Sequence, residues 1–184
     1  MTDFVTDYPY FAGRLVRYHT WPTIHKQTIG EHSWQVALIY EQIFGPLSPP
    51  VERYIRLHDV AELVVGDIPF PVKSLNPDLK AEFDKVESQA LLVMGVGALP
   101  ELSDDDRKRI KVCDLLEMMV FGMVDHEMGN RLAVPIIRRT KEAAMIVANS
   151  LPTSEYNAIC DFVDEATDRH HRVLKLERKY GDDY

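Results

Sequence analysis

TIGEHSWQVALIYEQIF, residues 28–44, followed by GPLSPP, residues 45–50, is the stretch whose reading decides the fold. Thr28 and Glu31 have the spacing of a capping box, in which each side chain satisfies a backbone N–H that the first helical turn leaves without a partner. Val36, Ile39 and Ile43 then recur at steps of three and four, the period of one face of an α-helix. A helix is therefore expected to about Phe44, and Gly45 with the prolines behind it ends that helix.

The same reading extends in both directions. A second helix is expected over residues 50–65, where Gly66 supplies a stop and Asp67-Ile68-Pro69-Phe70-Pro71 cannot continue helically. A third covers residues 77–94. Ser103 followed by Asp104, Asp105 and Asp106 reads as the acid-rich start of a fourth, which carries Asp114. Further helices are expected over residues 131–149 and 153–179, with a short one near the N-terminus over residues 11–16. Strand alternation is not convincing anywhere, and no internal repeat or Gly/Ser-rich linker divides the chain. The expectation is an all-α, irregular antiparallel helical bundle forming a single domain over residues 1–184.

Composition narrows the class of function. The chain has 184 residues, 46% hydrophobic and 27% charged, as ordinary globular proteins do. Its longest apolar stretch, residues 90–100, is too short to span a bilayer and holds two glycines. MTDFVTDYPY at the start places acidic residues where a secretory signal needs basic ones, so a cytoplasmic location is expected. Cys113 and Cys160 offer neither a disulfide framework nor a paired metal-binding spacing. A net charge of -8 repels polyanions, so nucleic-acid polymers are poor partners, whereas a small phosphate can still enter a local basic pocket.

Polar residues interrupt the apolar seams, and a His or Asp facing a core must have its hydrogen-bonding or charge requirement met there. His32 precedes Val36, Ile39 and Ile43 on one face, and by itself a satisfied core histidine explains it. The second helix adds more. Ile55, His58 and Glu62 share a stripe, and Asp59 lies about 100° round from His58, so both reach one point only over the edge between them. A metal ion supplies such a point. Asp114, spaced at near-heptad intervals with Ile110 and Phe121, aims another carboxylate inward. Two imidazoles and two carboxylates leave open positions on a six-coordinate divalent ion and suit Mn, Fe, Co, Ni or Zn better than Mg. With no thiolate among them, the set points to catalysis rather than to a closed structural site.

EHS at residues 31–33, RLHDVAELVVGDIP at 56–69 and KVCD at 111–114 together resemble the HD-domain phosphohydrolases. Within them, HDxxExxxGDxPxPxK, here residues 58–73, looks specifically like the 5′-deoxynucleotidase branch. The resemblance covers residues 17–117. It implies that His32, His58, Asp59 and Asp114 are the metal ligands, that Glu62 is the acid/base and that Asp67 is a further active-site carboxylate. Arg17, fifteen residues before His32, resembles the phosphate-binding arginine. Two departures stand out. The family arginine is followed by Trp-Pro, whereas Arg17 is followed by Tyr18 and His19, and Trp21-Pro22 is displaced. The interval from Asp59 to Asp114 is short and looks more like the compact phage enzymes that convert dATP to deoxyadenosine and triphosphate.

The resemblance thus implies a metal-dependent hydrolase of small deoxynucleotides, acting on a mono- or a triphosphate at the phosphorus nearest the 5′ oxygen. Lys73 and Lys26 are candidates for the charge that extra phosphates need, and Tyr18, Thr20 and Trp21 for nucleobase contacts. Trp21 and Trp34 otherwise read as core or interface packing. His19, His25, His126, His170 and His171 read as surface residues. Related enzymes imply a homo-oligomer. A non-catalytic nucleotide-binding or regulatory protein on the same bundle is the alternative, against which Glu62 and Arg17 argue. A di-iron carboxylate bundle needs repeated Glu-x-x-His pairs, which the chain lacks.

Overall fold

Thr28 and Glu31 exchange the two hydrogen bonds of a capping box: the Thr28 N–H donates to Glu31 Oε2 at 2.6 Å and the Glu31 N–H to Thr28 Oγ1 at 3.2 Å. Helix α1, Ile29–Phe44, begins at that cap. The structure, a computed structural model, describes residues 9–66 and 77–180. Beyond α1 it contains α2 (Pro49–Leu57), α3 (Glu62–Val65), α4 (Pro77–Val93), α5 (Asp104–Glu127), α6 (Val134–Ala148) and α7 (Thr153–Tyr180). Two 3₁₀ turns, Pro9–Arg14 and Arg131–Ala133, complete the described elements. No strand occurs among the described residues, and no helix among them is long and apolar enough to cross a membrane.

Two expectations change. The helix expected over residues 50–65 is two pieces, because bonding tightens to three-residue spacing between them. The Val60, Glu62 and Leu63 N–H groups donate to the Leu57, Asp59 and Val60 carbonyls at 3.1, 3.0 and 3.2 Å. Gly66, at φ 80°, closes α3 as expected, its N–H donating to the Glu62 carbonyl at 2.8 Å. The N-terminal helix expected over residues 11–16 is instead the turn Pro9–Arg14. The chain then extends, Arg17 N–H donating to the Gln27 carbonyl at 2.8 Å and Ile29 N–H to the Leu15 carbonyl at 2.9 Å, around an isolated bridge between Val16 and Thr28.

The fold separates into two compact units. The first takes in the described parts of residues 1–22, 26–35 and 48–102. Its core is Ala61, Ala90, Leu91 and Met94, with Val60, Leu63, Val96 and Leu99 against them, so α3 rests on α4. Arg53 donates to the Val96 carbonyl at 2.8 Å and fastens the segment after α4 to α2.

The second unit takes in residues 23–25, 36–47 and the described part of 103–184. Ser103 caps its long α5 as expected, accepting from the Asp106 N–H at 3.1 Å. Ile110, Val112, Leu116, Met119 and Phe121 of α5 are buried, with α6 and α7 packed on it. Gly122 lets α6 approach, since a Cβ there would lie 3.0 Å from Ile137. Arg109 donates to both carboxylate oxygens of Glu155 at 2.9 and 2.7 Å and to Asp106 at 2.9 Å. This three-bond arrangement pins α7 to the first turns of α5.

The Gly13–Gly30 contact in the first unit is the tightest backbone constraint on where α1 begins. A Cβ at Gly30 would lie 2.9 Å from the Gly13 carbonyl oxygen, a backbone atom that cannot rotate away, whereas one at Gly13 meets nothing nearer than 3.9 Å. Gly30→Ala is expected to destabilise by about 1–3 kcal/mol, the usual cost of forced overpacking, outweighing alanine's helix preference of at most about 1 kcal/mol. Thermal unfolding should show a fall of several degrees in Tm for Gly30→Ala and none beyond about a degree for Gly13→Ala.

Candidate metal centre

The site is built on the break between α2 and α3, where two ionisable residues follow the last turn of α2. His58 caps that turn, its N–H donating to the Tyr54 carbonyl, and its ring Nδ1 lies 2.7 Å from the Ile55 carbonyl. A carbonyl only accepts, so Nδ1 carries the proton and Nε2 presents its lone pair on the other side of the ring. Tyr54 stacks parallel to that ring at 6.1 Å and limits its rotation.

His32 approaches from the first turn of α1, fully buried, its ring centre 5.5 Å from that of His58. Between them stands Asp59, whose side chain is 18% exposed. Asp59 Oδ2 is 3.6 Å from His32 Nε2 and Oδ1 is 3.4 Å from His58 Nε2. His58 Nε2 is shielded from solvent and makes no hydrogen bond. Donor atoms of the three residues all lie within 4.8 Å of one another.

These distances fit a shared cation. Ligand atoms about 2.0–2.2 Å from one ion stand about 3.0–3.4 Å apart, close to the observed separations, which are long for hydrogen bonds. The donor set is two imidazole nitrogens and a carboxylate, with His58 oriented by a carbonyl behind it, an arrangement suited to a borderline divalent metal.

Three of the four expected ligands are thus brought together within the first unit. Asp114 lies in the second unit, on α5, largely buried, with Oδ2 accepting from Lys111 at 2.7 Å. Burial and the nearby Asp114 charge push the Cys113 thiol well above its ordinary pKa, so that cysteine is a protonated core residue. Glu62 opens α3, with Oε2 shielded from solvent. Asp67 and Lys73 lie outside the described residues.

Arg17 sits on the extended segment that pairs with residues 27–29. Its Nη1 donates to Gln27 Oε1 at 3.4 Å, and its guanidinium lies 5.4 Å from the centre of the Tyr18 ring. Gln27 is 1% exposed, and its Nε2 donates to Gln35 Oε1 at 3.2 Å. Neither glutamine stood out in the sequence, because a side-chain chain across an isolated bridge leaves no periodic signal. Tyr18 holds a left-handed backbone, φ 58°, which is uncommon for a bulky residue and shapes the turn in which Trp21 N–H donates to the Tyr18 carbonyl at 3.0 Å. Trp21 is half-buried and its indole nitrogen is shielded without a hydrogen-bond partner, whereas Thr20 and Lys26 are exposed.

Other expectations are corrected. Of the two expectations for Trp34, core or interface packing, its 64% exposure excludes the core. His170 is buried rather than on the surface: its Nδ1 is 2.9 Å from Glu127, which also binds Arg169 at 2.8 Å, and its Nε2 is 3.1 Å from Nδ1 of half-buried His126. That network satisfies the imidazole inside the second unit. His19, His25 and His171 are exposed as expected. A cavity of ≈ 380 Å³ lies among Tyr40, Phe44, Arg109 and Glu155, where both Glu155 oxygens accept from Arg109.

Known proteins resemble this chain in sequence and in fold. In sequence, the chain is 36% identical over 110 residues to a 5′-deoxynucleotidase of Vibrio cholerae, a match covering 50% of this chain and 54% of the relative. It is 34% identical over 108 residues to the Vibrio atlanticus 5′-deoxynucleotidase, again over 50% and 54%. The chain spans about half the length of these curated relatives. In structure, it is similar to the HD phosphohydrolase DatZ of cyanophage S-2L, solved with dA and one catalytic Zn2+ ion, at TM-score 0.71 and 19% identity over 92% of this chain and 98% of that one. An HD-domain phosphohydrolase of Listeria innocua gives TM-score 0.64 at 17% identity, over 88% of this chain and 85% of that one. The fold is that of the HD phosphohydrolases. The family model for YfbR-like 5′-deoxynucleotidases matches residues 13–118, the span that holds Arg17, His32, His58, Asp59, Glu62 and Asp114, and the chain belongs to that family.

Proposed function

We propose that this protein hydrolyses the 5′ phosphate ester of small deoxynucleotides with one bound divalent cation. The observation that carries the proposal is the convergence of His32, His58 and Asp59 on one point inside the matched family span. Asp114 is assigned as the fourth ligand from its place in the H…HD…D order. A divalent ion held by these residues supplies Lewis acidity toward water and a phosphoryl oxygen. Zn is favoured by the ion in the DatZ structure, with Co, Mn, Fe and Ni also suited to the ligand set and Mg less so.

The chain's own residues do the rest. Arg17 binds the nonbridging phosphoryl oxygens, a task for which a planar guanidinium with parallel donors is suited. Glu62, one turn after His58, takes the proton from the attacking water and returns one to the 5′-oxygen leaving group. Asp67 orients Glu62, water or the sugar hydroxyl, an assignment resting on sequence alone. Tyr18, Thr20 and Trp21 frame the nucleoside, and Lys73 and Lys26 provide positive charge for additional phosphates.

Monophosphates are the first choice of substrate, since the sequence relatives are 5′-deoxynucleotidases. The short interval from Asp59 to Asp114 favours a second reading, release of triphosphate from dATP. Both units serve one catalytic domain in this proposal, the enzyme is cytoplasmic in keeping with its free cysteines, and it assembles as a homo-oligomer, which light scattering checks.

Glu62→Ala is expected to retain metal, measured by elemental analysis, and to lose turnover by about 100-fold or more. Asp59→Ala should lose both metal and activity, and full activity in either variant would remove the assignment. Product analysis on dAMP and dATP with Mn, Co and Zn should show nucleoside together with phosphate or triphosphate. Binding of these nucleotides without either product would instead establish a non-catalytic nucleotide-binding protein.

A further inference from the structure

We propose that Gln27 is a positioning residue for the phosphate, acting through the Arg17 guanidinium, with Gln35 satisfying the far end of its carboxamide. This rests on the reading of Arg17 as the phosphate contact.

The argument begins with burial. Gln27 is 1% exposed, and a buried carboxamide must have both ends satisfied or lose more than its hydrogen bonds return. A carboxamide can be turned end for end, so its partners decide which atom faces where. Arg17 offers only donors, so the end beside Nη1, at 3.4 Å, is the oxygen. The nitrogen then faces Gln35, whose Oε1 accepts at 3.2 Å. Reversing Gln27 would aim an N–H at a guanidinium N–H.

The backbone reinforces this choice. Arg17 N–H donates to the Gln27 carbonyl at 2.8 Å, so the two residues face one another directly across the Val16–Thr28 bridge. Residue 17 is thereby held at both its main chain and its side chain by residue 27. Thr28 caps α1, which carries His32 in its first turn and Gln35 in the next.

Oε1 is a neutral acceptor, and that matters for an arginine that binds an anion. A carboxylate there would hold the guanidinium as firmly but would offset the charge the phosphate needs. A neutral oxygen orients one N–H and leaves the positive charge uncompensated. Gln27 is therefore expected to act on the phosphate through Arg17 and to have no effect of its own on the metal.

A double-mutant cycle on the metal-loaded full-length protein tests this, with hydrolysis of a deoxynucleoside monophosphate as readout. Gln27→Met keeps the length of the side chain and removes the acceptor, and should lower kcat/KM about tenfold in the native background. In the Arg17→Ala background the same change should cost less than twofold, with metal content unchanged in both. Gln27→Glu, which retains shape and acceptor, should raise KM several-fold while kcat stays within about twofold. Equal losses in the two backgrounds, or an unaltered kcat/KM in Gln27→Met, would overturn the positioning role while leaving Arg17 as the phosphate contact. Undiminished turnover in Arg17→Ala would instead overturn the reading of Arg17 itself. Should Gln27→Met not fold, the KM-against-kcat split of Gln27→Glu decides alone, and an unchanged KM sinks the proposal.

Discussion

A carboxylate mostly withdrawn from water and set between two imidazole rings is the feature on which the rest of the site depends. Asp59 is in that position, with Oδ1 and Oδ2 at 3.4 and 3.6 Å from His58 and His32. The Ile55 carbonyl takes the proton of His58 Nδ1 and so commits the other ring nitrogen to acting as an acceptor. Ligand atoms of His32, His58 and Asp59 lie within 4.8 Å of one another. Two imidazoles and a carboxylate gathered this closely are a donor set that suits one divalent cation.

The break between α2 and α3 shows how far the sequence could be read. The capping box at Thr28 and Glu31, the cap at Ser103 and the stop at Gly66 were all legible, because each depends on side chains within a few residues of the backbone groups they satisfy. The interruption at residues 58–61 was not. An uninterrupted helix from 50 to 65 has the same apolar spacing, and what separates the two outcomes is a tightening of hydrogen bonds that leaves no mark on residue type. The expectation that His58 and Asp59 face one point does not depend on this difference, since either geometry turns both toward the same edge.

Side chains that act across long intervals were less legible. The burial of His170 depends on Glu127, more than forty residues away, and nothing near residue 170 announces that partner. A charged or polar residue on a helix is usually solvated, so the surface reading followed from local information alone. Gln27 was passed over for the same reason: its partners, Arg17 and Gln35, belong to different local elements, and only the bridge between Val16 and Thr28 brings the three into line.

The same bridge accounts for the spatial relation of Arg17 and His32. Residues 15–17 are registered against residues 27–29 by two backbone hydrogen bonds, and residue 28 caps the helix in which His32 occupies the first turn. Arg17 and His32 are thus two ends of one short, rigid path, although fifteen residues of chain separate them. Gly30 lies along that path and must remain without a side chain, because the Gly13 carbonyl occupies the space where a Cβ would go. The intervening turn, with Tyr18 in a left-handed conformation, can differ from its relatives without disturbing this register. Displacement of Trp21-Pro22 from Arg17 therefore changes the turn between the two sides of the bridge and leaves the spacing between Arg17 and His32 intact.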